Sequence, residues 1–166
     1  TIETWARPAQ APAGRASLIR RLGGIDRQVT FEIGLENVGG EARPYARFQR
    51  DDSSADFVTL AHGAGVPVGT NGTDWTHLAA TYAPTEVEGE YDFTLFINGL
   101  KAQTRRLTGV LPAVGDRGIL YLGATNYVGQ MHETRIWRVP RSTEEILQLY
   151  DQMLVVSGSQ VDNSLQ

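Results

Sequence analysis

The run YDFTLFINGLKA, from Tyr91 to Ala102, carries the strongest local signal for the fold. Phe93, Leu95 and Ile97 recur at every second position, which is the spacing of one face of a β-strand. Asn98 and Gly99 follow, and this pair accepts the positive φ angles of a two-residue hairpin turn. Because so short a turn reverses the chain, the run predicts two antiparallel strands, the second beginning at Leu100.

Short strand-like runs continue on both sides of this hairpin and are separated by polar, Gly-rich segments. They are Thr1–Pro8, Gln28–Leu35, Tyr45–Gln49, Phe57–Ala61, Trp75–Tyr82, Gly118–Ala124 and Gly129–Trp137. In Gln28–Leu35 the residues Val29, Phe31 and Ile33 alternate with polar neighbours, as in a strand buried on one face. Both faces of Trp75–Tyr82 are largely apolar, which predicts a strand in the centre of a sheet.

One helix is predicted after the last of these runs. Ser142 followed by Glu145 three residues later forms a capping box, in which each side chain bonds the other residue's backbone N–H. Ile146 and Met153 lie on the apolar face that follows, so we expect a helix over Ser142–Met153. The remaining residues, 155–166, are small and polar, and we expect a tail outside a domain that spans residues 1–154.

Composition supports one all-β domain. The chain has 166 residues, 41% of them hydrophobic, with 18 Gly and 7 Pro, which favours many short strands joined by turns. It has no Cys, so disulfides, thiol catalysis and zinc–thiolate sites are excluded. No apolar run approaches the roughly 18 residues of a membrane span. We therefore predict an antiparallel two-sheet sandwich.

The charge distribution argues against nucleic acid as a partner. Residues 1–50 hold 8 Arg against 5 acids, and residues 101–166 hold 7 basic against 6 acidic residues. Residues 51–100 hold 8 acids and no Lys or Arg, within a net charge of −4. A nucleic-acid interface needs a concentrated basic surface, and this pattern predicts none.

Four segments in this order resemble the laminin G-like jelly roll of the concanavalin A-like lectin/glucanase superfamily. They are TIETWARP, DWTHLAATY, DFTLFINGLKA and VGQMHETRIWRVPRSTEEILQLY, which span residues 1 to about 152. The resemblance implies two curved sheets packed face to face, with Trp5 and Trp75 between them. It also implies a module that binds glycans or proteins through loops at one rim or through a sheet face.

The sequence departs from the family pattern in two places. The family usually has a strand before the segment that matches TIETWARP, so we expect an open sheet edge there that the polar tail or another chain would fill. The family's closing strand commonly carries an Asp that helps bind calcium, and His132 stands at that position. A neutral imidazole is a poor ligand for calcium, so we expect the usual calcium site to be absent or altered.

Two groups of aromatic residues are candidate ligand platforms. Tyr121, Asn126 and Tyr127 lie in and around the loop GATNYVG and combine rings with an amide that would read sugar hydroxyls. Tyr45 and Phe48 form the second group. A Tyr on a strand is also a common packing residue, so both groups are hypotheses.

Metal and catalytic chemistry have weaker signals. Asp51, Asp52 and Asp56 place three carboxylates within six residues, but without the spacing of a calcium loop, and an exposed turn is the alternative. The acids of Glu88–Asp92 resemble the paired carboxylates of sandwich glucanases only loosely, and a solvated loop explains them better. The residues predict no other cofactor and no enzyme.

These observations predict a non-catalytic, lectin-like binding module, extracellular or on a cell surface, such as one domain of an adhesin. Its partner would be a glycan or a protein. The alternative is a structural building block of a filament, surface layer or virion, in which copies pair through the open sheet edge. A glycoside hydrolase is the third and most distant interpretation.

Overall fold

A computed structural model describes residues 1–23, 27–52, 56–69, 74–114, 118–124 and 126–152. Within these ranges the chain forms ten β-strands and one short helix. The strands are β1 Ile2–Pro8, β2 Arg15–Gly23, β3 Gln28–Val38, β4 Glu41–Gln49, β5 Phe57–Ala61, β6 Thr76–Pro84, β7 Glu90–Ile97, β8 Leu100–Thr108, β9 Ile119–Ala124 and β10 Gly129–Ile136. The helix α1 is Thr143–Leu149.

In the described residues the strands form two five-stranded antiparallel sheets. Sheet A has the order β10-β1-β6-β7-β8, and sheet B has the order β5-β4-β3-β2-β9. Side chains from both sheets share one buried apolar cluster, which includes Ile33 and Leu35 from β3 and Leu78 and Leu95 from β6 and β7. The predicted all-β, two-sheet sandwich with one late helix is confirmed.

The hairpin at Asn98 and Gly99 is also confirmed. Both residues have positive φ angles, 49° and 75°, and Ile97 pairs with Leu100 directly across the turn. Gly99 is required for a second reason, because a Cβ there would lie 2.6 Å from the ring of Tyr150. The turn therefore sets the register of β7 and β8 and provides the space into which the end of α1 packs.

Helix α1 covers the face of sheet A that points away from sheet B. Ser142 and Glu145 form the predicted capping box, and Ile146 packs with Ala79 and Phe96 in a small second core. This cover explains why both faces of β6 are apolar: one faces sheet B and the other faces the helix. The predicted helix extended to Met153, which lies outside the described residues; α1 ends at Leu149.

Strand β2 was missing from the predictions, and β4 begins four residues earlier than expected. The alternation in β2 is broken because the register against β3 shifts between Ser17 and Ile19 and again between Arg21 and Leu22. Such bulges interrupt the two-residue period on which strand prediction depends.

Two expectations about sheet A are corrected. Trp5 and Trp75 do not lie between the sheets; Ile2 and Ala6 face the core, so the intervening Trp5 points to the opposite side. The open edge is not at β1 either, because β1 pairs with both β10 and β6.

The described residues contain no helix that is long and apolar enough to cross a membrane.

Candidate functional site

A row of large side chains crosses sheet B on the face turned away from the core. The strand register places Arg20 opposite both Tyr121 and Glu32, and Glu32 opposite Arg47. Phe57 on the edge strand β5 completes the row beneath the guanidinium of Arg47. We call these five residues, Tyr121, Arg20, Glu32, Arg47 and Phe57, the cross-strand row.

Glu32 is the fixed centre of the row. Its side chain is almost fully buried, and its Oε1 accepts hydrogen bonds from Ser17 Oγ at 2.6 Å and from the hydroxyl of Tyr45. Its Oε2 accepts from Arg47 Nε at 2.9 Å and lies 2.8 Å from Arg47 Nη2. Burial raises the pKa of Tyr45, and the negative charge of Glu32 raises it further, so Tyr45 remains a donor. Bonds from three side chains hold the carboxylate in one orientation.

Aromatic rings lie at both ends of the row. Tyr121 on β9 is half-buried, with the guanidinium carbon of Arg20 5.4 Å from its ring centroid. Phe57 on β5 is 39% exposed, with Arg47 4.3 Å from its ring centroid. The two edge strands are four strand spacings apart, or about 19 Å. The row therefore offers apolar ring surface at each end and charged donors between them.

The first predicted platform is divided by the structure. Tyr121 belongs to the cross-strand row, whereas Tyr127 packs against the core and donates its hydroxyl to the carbonyl of Gln130 at 2.7 Å. Burial raises the pKa of Tyr127 to about 12. Asn126 is exposed in the loop between β9 and β10 and has a φ of 68°. We therefore retain Tyr121 in the candidate site, with Asn126 on the adjacent loop.

The second predicted platform is corrected. Tyr45 is 0% exposed and Phe48 is 2% exposed, so neither ring has a face open to a sugar. Phe48 points into the core, where its ring meets Phe93 edge-on at 5.1 Å. The Tyr45 ring lies under the guanidiniums of Arg15 and Arg47, whose carbons are 5.3 and 5.7 Å from the ring centroid. Its role is to support the cross-strand row through Glu32.

The predicted cation site is not assembled in the described residues. Asp52 forms an ion pair with Arg50 at 2.6 Å, and the exposed Asp51 donates its backbone N–H to the carbonyl of Leu111. Asp56 accepts a backbone hydrogen bond from Arg50. No group of three His, Cys, Asp or Glu side chains that could hold a metal occurs in the described part of the chain.

Of the acids in Glu88–Asp92, Glu90 and Asp92 lie at the start of β7 and face an arginine, and Glu88 lies on the preceding turn. Arg106 Nε and Nη2 donate to the two oxygens of Asp92 at 2.9 and 3.0 Å, and Glu90 is 4.0 Å from the same Nε. The hydrogen bond from Arg106 lowers the pKa of Asp92. This arrangement is an exposed ion-pair cluster on an outer hairpin.

Four of the five residues of the cross-strand row were not predicted. A signal for one of them was present in Gln28–Leu35, where Glu32 occupies the polar side of the alternation. The two arginines lie on strands whose facing was not assigned, because β2 is bulged and β4 contains Pro44. Only the pairing of the five strands of sheet B brings the side chains of the cross-strand row together.

Comparison with known families gives one match. A family model described as the concanavalin A-like lectin/glucanases superfamily matches residues 1–147. No curated protein matches the chain. The family match covers every described strand and most of α1, and it includes all residues of the cross-strand row.

Proposed function

The chain belongs to the concanavalin A-like lectin/glucanase superfamily, and on this premise we propose that it is a non-catalytic module that binds carbohydrate on the cross-strand row. Laminin G-like domains bind glycan or protein ligands, so the chain is, at that level, a binding module. The choice of carbohydrate rests on the chemistry of the row. We further propose that the module belongs to a secreted or cell-surface assembly, or to a virion.

The observation that supports this proposal is the rigid alternation of rings and charged groups across sheet B. A sugar ring has an apolar face that packs on an aromatic side chain and hydroxyls that need directional donors and acceptors. Phe57 and Tyr121 supply the rings, and the outer N–H groups of Arg20 and Arg47 supply donors. Because the hydrogen bonds to Glu32 and the cation–π contact with the Tyr45 ring hold Arg47 in place, little side-chain entropy is lost when a ligand binds.

The carboxylates on this face support a non-catalytic role. Glycoside hydrolases place two carboxyl groups about 5 to 9.5 Å apart on either side of the scissile bond. Glu32 and Glu36 are four residues apart on β3, or about 13 Å. Each is paired with an arginine, Glu32 with Arg47 and Glu36 with Arg15 at 3.0 Å. Hydrolysis of a polysaccharide, abolished by Glu90→Gln, would contradict this part of the proposal.

A glycan array tests the proposal. We expect hits that weaken at least tenfold in Tyr121→Ala and in Phe57→Ala, because each variant removes a ring at one end of the row. Leu100→Ala is the matched control, since it removes an exposed apolar side chain from the distant β7–β8 hairpin. Binding that both ring variants retain at wild-type strength would place the site elsewhere.

Assembly with further copies is a second candidate function, and the edge strand β9 supports it. Leu120 and Leu122 on β9 are 45% and 55% exposed. Leu122 pairs with Ile19, which in turn pairs with the core residue Ile33, so both leucines lie in register with the core side of sheet B. Their exposure therefore leaves apolar surface uncovered at this edge. The strand ILYLGA has no charge and no Pro, the residues that normally protect an edge from pairing. We propose that copies pair edge to edge along β9.

Sedimentation measures this second candidate directly. The wild-type chain should associate as its concentration rises, and Leu122→Lys should shift it to monomer because a charge would be buried in the new sheet. Leu147→Lys, on the exposed side of α1, is the control. A chain that stays monomeric at high concentration would exclude pairing through β9.

A further inference from the structure

A cleft of about 420 Å³ lies on the outer face of sheet A, on the opposite side of the sandwich from the cross-strand row. It is lined by Trp5, Trp75, His132, Glu133, Asp151 and Gln152. Its volume is within the range of about 300 to 1,000 Å³ that small-molecule sites occupy. We call it the tryptophan cleft.

The aromatic side of the cleft is held in place by its neighbours. Trp5 donates its indole Nε1 to the carbonyl of Tyr150 at 2.9 Å and stacks on the Tyr150 ring at 5.9 Å. The guanidinium carbon of Arg7 lies 5.2 Å from the ring centroid of Trp75. The imidazole of His132 packs edge to face against the same indole, with the ring centroids 6.1 Å apart. Trp5 and Trp75 come from neighbouring segments on one face of the sheet, so their indoles are positioned before any ligand arrives.

The polar side of the cleft depends on a strained backbone. Glu133 has a φ of 50°, which a residue with a Cβ rarely adopts, at the bulge where β10 pairs irregularly with β1. Strained bulges of this kind commonly re-aim a side chain beside a binding site. Arg135 then fixes the side chain, donating to Glu133 Oε2 at 2.9 Å and to the carbonyl of Gln152 at 2.7 Å. The same arginine thus ties the bulge to the segment after α1.

The chemistry of the lining identifies the class of ligand. Two indoles offer flat apolar surface, and Glu133, Asp151 and Gln152 offer oxygen acceptors for hydroxyl donors. None of the six described lining residues is Lys or Arg. Of the two guanidiniums beside the cleft, Arg7 lies over the Trp75 ring and Arg135 is hydrogen-bonded to Glu133 and Gln152. The two carboxylates of the lining therefore disfavour phosphate, sulfate and carboxylate groups. We propose that the tryptophan cleft binds the terminal ring of an uncharged sugar, with the apolar face of the sugar on the side of the Trp75 indole that Arg7 does not cover and its hydroxyls on the carboxylates.

This site is independent of the proposed function, because the two sheets separate it from the cross-strand row. A chain with both sites would engage one branched glycan, or two glycan chains, at once. Two weak sites on one module increase the overall affinity through effective concentration when the ligand reaches both. Each site is tested by its own variants.

Tryptophan fluorescence of the full chain is a direct test, with methyl α-mannoside and methyl β-glucoside as neutral probes and methyl β-glucuronide as the charged probe. We expect a saturable change in fluorescence with at least one neutral glycoside, with a Kd below about 10 mM. The glucuronide should bind at least tenfold more weakly. Of the three tryptophans in the chain, Trp137 lies outside the cleft and donates to Glu3, so its signal should not change.

Variants complete the test. Trp75→Phe and Asp151→Asn should each weaken binding of the neutral glycoside at least fivefold, and Glu88→Gln, an exposed acid on the β6–β7 turn, should not change it. Asp151 is exposed, so its variant remains informative if Trp75→Phe folds poorly. No response to either neutral glycoside, preferential binding of the glucuronide, or competition by tetramethylammonium would overturn the proposal. Tyr121→Ala should leave this binding unchanged, which separates it from the cross-strand row.

Discussion

Glu3→Gln, which replaces a carboxylate by an amide of the same shape, should destabilise the fold strongly. Glu3 is 1% exposed and faces the side of sheet A that α1 covers. Trp137 Nε1 donates to its Oε1 at 2.7 Å, and His77 Nε2 lies 3.2 Å from its Oε2. Two guanidinium nitrogens, from Arg135 and Arg141, lie 3.6 and 3.7 Å from Oε1. Glutamine keeps the shape and one acceptor but removes the charge.

The expected loss of unfolding free energy depends on which positively charged neighbours of Glu3 would be left without a negative partner. Removing one member of a buried ion pair costs about 3 to 5 kcal/mol. Arg135 keeps Glu133 as a partner at 2.9 Å, and the acceptor for Trp137 survives in glutamine, so the lower end applies. We expect about 3 kcal/mol at pH 7, which shifts the urea midpoint by about 1.5 M at a slope near 2 kcal/mol per M.

The pH dependence has a definite sign. Burial by itself would raise the pKa of Glu3, but hydrogen bonds from His77 and Trp137 and charge interactions with His77 and Arg135 together outweigh it, and the pKa is lowered. A carboxyl whose pKa is lower in the folded than in the unfolded state adds stability above its unfolded pKa of about 4.3. That stability is lost as the pH falls through the folded pKa. The difference between wild type and Glu3→Gln should therefore be largest near neutrality and shrink below about pH 4.

Urea unfolding followed by tryptophan fluorescence at pH 7 and pH 3.5 measures both effects. Glu41→Gln is the matched control, because it makes the same change in an exposed ion pair with Arg43 and should cost less than about 0.5 kcal/mol. If Glu3→Gln lowers the free energy of unfolding at pH 7 by less than about 1 kcal/mol, the charge of Glu3 does not stabilise the buried Arg135 and Arg141, and the argument is refuted. A difference from wild type that is the same at both pH values would refute the sign of the pKa shift.

Three further changes probe the fold around the sites by urea unfolding. Tyr45→Phe should cost about 1.5 to 3 kcal/mol because it removes a hydrogen bond to the buried charge of Glu32, and a loss under about 0.5 kcal/mol would contradict that role. Gly34→Ala should cost more than about 2 kcal/mol, since its Cβ would lie 2.3 Å from a backbone oxygen, whereas Gly63→Ala has open space; equal stability of the two would contradict the packing. Ser142→Ala should cost about 1 kcal/mol through the lost cap, and Ser142→Asp, which restores an acceptor, should recover most of it; no recovery would contradict the capping box.

Features that depend on neighbours in the sequence were predicted well. The turn at Asn98 and Gly99 needs only backbone conformations that these two residues adopt easily. The capping box at Ser142 needs only two side chains three residues apart. The ordered set of strand motifs was sufficient to identify the sandwich and its superfamily. Strand β2 was missed because its bulges remove the regular period, which is a property of its pairing with β3.

The candidate sites needed the tertiary structure. A two-residue period separates the two faces of a strand, but it does not say which face meets the other sheet, and Trp5 was therefore assigned to the wrong side. Tyr45 was expected on the surface and is buried because Arg15 and Arg47 cover its ring.

The sequence by itself determined that this chain is an all-β sandwich with a capped helix after its last strand, because those features depend on residues close together along the chain. Tertiary structure decided where its chemistry lies. The cross-strand row joins four neighbouring strands with Phe57 on the fifth, and the tryptophan cleft joins Trp5 to Asp151, at opposite ends of the described chain. Such sites arise from strand order and register, which are set by the packing of the whole domain.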